Sequence, residues 1–191
     1  QVGTGSSPAG ALKYAYMDAT GNWQVEVIDS NRGSSTCGTA TGFCIGAPNV
    51  AAPAFAAGQP QMFDLQYTTG VGGAAITPYV VYVYGTTTTK SIRLAVREPS
   101  TGTWSISDAV ASSALSGFAT ATLEYSVKAP RLVLDSSDRP HLYFALYTTA
   151  VATTSAMYYS MRITNGNWTT PVNTVLSLST SGGASAAPVG I

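Results

Sequence analysis

Short runs of aromatic and β-branched residues, alternating with polar ones, recur along the chain between stretches rich in Gly, Asn, Asp and Pro. Period-two alternation places successive side chains on opposite faces of a strand, whereas a sustained 3.6-residue apolar spacing is hardly found. Leu12–Met17 and Trp23–Ile28 predict a hairpin, with Asp18-Ala19-Thr20-Gly21-Asn22 as its turn. A second set of strands is predicted at Met62–Tyr67, Tyr79–Tyr84, Ser91–Arg97 and Trp104–Ser107. Val71-Gly72-Gly73 and Pro99-Ser100-Thr101-Gly102-Thr103 turn the chain within that set. A third set is predicted at Arg131–Leu134, His141–Leu146, Ala156–Ile163 and Trp168–Val172. Its turns are Asp135-Ser136-Ser137-Asp138-Arg139-Pro140 and Thr164-Asn165-Gly166-Asn167. Ser107–Ala119 comes nearest to a helix, but its apolar spacing is ragged and it reads as a loop or a single turn.

The pattern therefore predicts an all-β protein made of antiparallel, four-stranded, blade-like sheets. The order is a hairpin alone, four strands, four strands, then an apolar tail over Ala184–Ile191. Residues 1–191 read as one domain of two and a half to three repeats, with a long loop at 31–59. The repeats share one punctuation, a Gly followed two residues later by Trp: Gly21 with Trp23, Gly102 with Trp104, Gly166 with Trp168. All three tryptophans of the chain stand at that place. The spacings of 81 and 64 residues exceed the roughly 40–50 of a tight propeller repeat, so long loops must lie between strands. Two architectures fit, a partial β-propeller and a β-sandwich.

At these residues the chain resembles bacterial extracellular β-propellers with degenerate sialidase-like repeats. Leu132-Val133-Leu134-Asp135-Ser136 and Arg139-Pro140-His141-Leu142-Tyr143 carry the first half of the likeness. Leu12-Lys13-Tyr14-Ala15-Tyr16 and Gly21-Asn22-Trp23 carry the second. The resemblance covers about two and a half blades and implies blade-like sheets. It departs from the family where the sialidase Asp-box would stand, because Asp18, Gly21 and Trp23 are spaced differently. A ring normally needs four or more blades, so the resemblance implies a ring shared with another chain, or a sandwich.

Composition narrows the setting. Hydrophobic residues make up 45% of the 191, enough for a packed core. Only 9% are Asp, Glu, Lys or Arg, against roughly 25% in an ordinary soluble domain. Nine basic and nine acidic residues cancel, so no long-range field recruits nucleic acid or anionic lipid. Polarity comes instead from 25 Thr and 21 Ser, and a neutral hydroxyl surface opposes association only weakly. No apolar run is long enough to be a membrane-spanning helix. A chain opening on Gln1 is what removal of a signal peptide leaves, and what any other cut would leave too. Cys37 and Cys44 are expected to close a short disulfide loop, which implies an oxidising, extracellular setting.

Catalytic chemistry is hard to assemble from this inventory. His141 is the only histidine and stands at the start of a strand, where a half-buried, hydrogen-bonded structural role is expected. The carboxylates of Asp18, Asp29, Asp64, Asp108, Asp135 and Asp138 fall mostly in turns, where Asp caps its own backbone. Arg93 and Arg97 share one strand face and are expected to be solvated or to pair with Glu98 and Glu124. The strand tyrosines, among them Tyr14, Tyr16, Tyr79, Tyr82, Tyr84, Tyr143, Tyr158 and Tyr159, are expected to build the core between sheets. They also suit sugar stacking and protein interfaces. Asn167-Trp168-Thr169 is an N-glycosylation sequon. No catalytic, cofactor or metal site is expected. The expected function is a secreted, non-enzymatic interaction or structural protein that associates with itself or another chain, as in a pilus or fibre. A carbohydrate-binding module using Trp104, Trp168 and Tyr147 is the alternative, and a glycosidase fragment the third.

Overall fold

A computed structural model describes residues 12–29, 63–85, 90–111, 128–148 and 154–179. They form ten strands and one 3-10 turn, in three antiparallel sheets and without an α-helix among the described residues. The hairpin sheet pairs β1 (Leu12–Met17) with β2 (Trp23–Asp29). The middle sheet follows chain order: β3 (Phe63–Tyr67), β4 (Pro78–Gly85), β5 (Lys90–Arg97) and β6 (Trp104–Val110). The last sheet repeats that order with β7 (Lys128–Leu134), β8 (Pro140–Thr148), β9 (Thr154–Met161) and β10 (Val172–Ser179). The predicted sequence of hairpin, four strands and four strands is the one observed.

The middle sheet lies between the other two, and its sequence explains why. Tyr79-Val80-Val81-Tyr82-Val83-Tyr84 has no polar alternation, the mark of a strand covered on both faces. Val81, Val83, Ile92 and Leu94 point to one side and pack with Leu132, Leu142 and Phe144 of the last sheet. Val80, Tyr82 and Ala95 point to the other side and pack with Ile28, Leu12 and Tyr14 of the hairpin sheet. Full burial of each large side chain in these layers is worth about 1.5–3 kcal/mol. Each sheet thus has a leading face, toward the preceding sheet, and a trailing face, toward the next.

The turns place the tryptophans. Gly21 and Gly166 have φ of 85°, where a Cβ is strained, and each closes a five-residue turn. In both, the residue after Gly accepts the N–H of the turn's first residue, Asn22 from Asp18 and Asn167 from Ile163. The turn at 98–103 is one residue longer and makes the same closing bond, Glu98 N–H to Thr103 carbonyl. Trp is therefore the first residue after each turn and always falls on the leading face. Trp23 stands opposite Met17, Trp104 opposite Arg97, and Trp168 opposite Arg162.

Three boundaries differ from expectation by three residues or more. The strand predicted over Trp168–Val172 is a single bridge at Trp168, and β10 begins only at Val172. Pro171 has no N–H to give to the ladder, which explains the interruption. Ser107–Val110, expected to open a loop or turn, continues β6 because Ala109 and Val110 are core residues. β7 starts ahead of Arg131, with Pro130 in a register shift between Lys128 and Arg131, a place that tolerates proline. The expected Cys37–Cys44 disulfide, the 31–59 loop, Thr86–Thr89 and the 184–191 tail lie outside the described residues.

Gly102 differs from its counterparts in its surroundings. A Cβ there would meet the Arg97 guanidinium at 3.0 Å, whereas one at Gly21 meets nothing within 4 Å. Gly21→Ala is expected to cost about 1 kcal/mol through backbone strain alone. Gly102→Ala should cost more, because Arg97 must also move from its carboxylate partner. Chemical denaturation of the two variants measures the difference, and equal losses would contradict it.

Candidate functional site

The interface between the hairpin and middle sheets is organised by one carboxylate. In Trp23-Gln24-Val25-Glu26-Val27 the polar residues share the face toward the middle sheet, where Glu26 is partly buried, and the apolar ones point outward. Glu26 accepts two hydrogen bonds from Arg97, at 2.8 and 2.7 Å, one from the Trp104 indole at 3.1 Å and one from Tyr16 at 3.1 Å. Arg97 above all holds the Glu26 carboxyl below its usual range. The Tyr14 ring meets Trp104 edge-on at 5.4 Å, and its hydroxyl lies 3.3 Å from that of Tyr67. Nearby, buried Asp29 accepts from Tyr82 at 2.8 Å and lies 3.6 Å from Arg93, which also bonds Asp108 at 3.2 Å. Arg93 and Arg97 therefore join the middle sheet to the hairpin sheet through Asp29 and Glu26, and Arg93 also ties β5 to β6 through Asp108, in place of the expected solvation or pairing with Glu98. Glu124 lies outside the described residues.

An open cleft of about 310 Å³ is lined by Asp29, Arg93, Ile106, Ser107 and Asp108. Arg93 binds both of its carboxylates, so they do not stand as a free acid and base across a pocket.

His141 is fixed on the trailing face of the last sheet. Its Nδ1 lies 2.7 Å from the Tyr159 hydroxyl and its Nε2 3.3 Å from Asp135. Asp135 also accepts from the backbone N–H groups of Ser137 and Arg139 and from Arg139 Nε. Those bonds, the Arg139 N–H foremost, hold its carboxyl well below the carboxylate range. Asp18 is held low in the same way by the Thr20 hydroxyl, the Asn22 N–H and Gln24. Both act as turn caps, as their sequence setting implied. Among the described residues no three His, Cys, Asp or Glu side chains gather to hold a metal ion.

The tryptophans divide into two kinds. Trp104 is half-buried against the hairpin sheet, and Trp168 is half-buried against the core between the middle and last sheets. Neither is displayed as a sugar platform; the Tyr147 side chain lies outside the described set. The buried indole N–H of Trp168 finds no acceptor among the described residues. The β6 position matching Glu26 is Ser107, which carries no carboxylate. Trp23, by contrast, is 68% exposed. With Met17, Val25 and Val27 it makes an apolar leading face on the hairpin sheet that nothing covers among the described residues. The trailing face of the last sheet is also open, where Val133, Tyr143 and Val172 are exposed beside Tyr159. These two faces are the candidate site. Asn167 is exposed in its turn, which leaves the sequon accessible.

Two measurements follow. Trp104→Phe removes a charge-assisted bond and should cost about 1–3 kcal/mol, whereas Trp168→Phe removes a donor that has no acceptor among the described residues and should cost less. Denaturation midpoints of the pair check that order. Asp18, Glu26 and Asp135 have lower pKa values folded than unfolded, so their contribution is present at neutral pH. It is lost as pH falls below about 4, through the folded values. Thermal melts should weaken over that range, and Asp18→Asn with Asp135→Asn should flatten the dependence. No family model, curated protein or solved structure matches the chain.

Proposed function

We propose that this chain is an extracellular, non-enzymatic interaction and structural protein, a part of a β-propeller that associates through open sheet faces with itself or another chain. The observation that carries the reading is the apolar leading face of the hairpin sheet, Met17, Trp23, Val25 and Val27, turned to solvent. Contiguous apolar surface of this kind on a soluble protein marks an interaction site. The propeller reading is supported by up-and-down sheets stacked in chain order and by tryptophans repeated on one face. The extracellular setting is supported by the two closely spaced cysteines of the sequence and its low charge. A subunit of a surface fibre is one concrete form. Glycan binding ranks second, because Trp104 and Trp168 are already packed between sheets.

The test is the mass of the native particle. Light scattering of material taken from its source should give more than one chain, and Val25→Lys with Val27→Lys should bring it to the single-chain mass with the melting temperature kept. A single-chain mass in the unaltered protein would overturn the reading.

A further inference from the structure

The two open faces are related by the repeat itself. Aligning the turns at 18–22, 98–103 and 163–167 aligns β1 with β5 and β9. Leu12, Tyr14 and Tyr16 then match Ile92, Leu94 and Val96, and match Met157, Tyr159 and Met161. The first triplet packs on the middle sheet and the second on the last sheet. The third lies on the trailing face that is open. Likewise Trp104 and Trp168 each cover a preceding sheet's trailing face, while Trp23 occupies the same position with no sheet before it among the described residues. One end thus presents a leading face and the other a trailing face, the two halves of a contact this chain already makes twice.

The surface chemistry agrees. The trailing face carries a row across four strands, Arg131, Tyr143, Tyr159 and Val172, with Val133 beside it. The Tyr143 and Tyr159 rings lie 5.0 Å apart, a preformed aromatic patch on a rigid sheet. The leading face of the hairpin sheet has Met17 where the middle sheet has Arg97, so no carboxylate is required opposite it. The last sheet in turn carries no carboxylate at the position matching Glu26: the residue three past Trp168 is Pro171.

We infer that the partner of this protein is a second copy of the chain, bound head to tail, with the Trp23 face of one copy on the Tyr143–Tyr159 face of the other. This rests on the interaction reading above and names its partner. Such a contact is heterologous, so it closes into a ring where the rotation allows and grows into a filament where it does not.

Two single-face variants test it. Val25→Lys spoils the leading face and Tyr143→Lys the trailing face, with Val27→Lys and Val172→Lys as substitutes where circular dichroism shows a variant unfolded. The purified chain should assemble in light scattering across the micromolar range, and each variant alone should give the single-chain mass. An equimolar mixture should regain a particle of two chains, because each variant keeps the face the other lacks. Persistent assembly of Tyr143→Lys alone, or failure of the mixture to pair, overturns the head-to-tail contact. A purified chain that stays single while the native particle is larger overturns the second copy as partner and leaves the broader interaction reading standing.

Discussion

A β-sheet that is apolar on both sides has to be covered on both sides, and the middle sheet imposes that requirement on its neighbours. Tyr79–Tyr84 sends alternate side chains into two separate layers, so neither cover can be dispensed with. The two covers meet the requirement with different chemistry. Toward the last sheet the contact is mostly hydrocarbon, with Asp64 at one side accepting the Leu132 N–H at 2.9 Å and Asp138 tying down Thr69. Toward the hairpin sheet it is threaded with charge. A carboxylate taken out of water must be repaid in hydrogen bonds, and Glu26 receives them from Arg97, Trp104 and Tyr16.

That choice fixes the character of the outer surface. With Glu26 and Gln24 turned inward, strand alternation forces Trp23, Val25 and Val27 outward. A one-residue slip in register would bury the valines and expose the glutamate, yet the Arg97 fork, the Trp104 indole and the Tyr82–Asp29 bond all hold the observed register. The outward apolar stripe is therefore a consequence of a well-satisfied interface, not of a poorly packed one.

What the sequence made legible was local. Alternation, turn residues and the Gly-x-Trp spacing located the strands, because each depends on neighbours a few positions away. The exceptions are also local in cause: Pro171 delays β10, and buried Ala109 and Val110 extend β6 beyond Ser107. The pairing of sheets was not legible, since Glu26 meets Arg97 and Trp104 at separations of 71 and 78 residues. Two signals were present nonetheless. The unbroken apolar run Tyr79–Tyr84 announces a sheet covered twice, and two carboxylates, Glu26 and Asp29, amid the apolar residues of β2 announce buried partners.

Charge is what ordinarily keeps an open sheet face from sticking. Here it is scarce, and most charged side chains among the described residues are engaged internally: Glu26 with Arg97, Asp29 and Asp108 with Arg93, Asp135 with Arg139, Asp18 in its own turn. On the leading face of the hairpin sheet only Lys13 brings a charge among Ala15, Met17, Trp23, Val25 and Val27. On this face the charge that ordinarily opposes association is nearly absent. The same position on the other two sheets is filled by a tryptophan pressed on its neighbour, and Trp23 stands in the third with the same turn behind it.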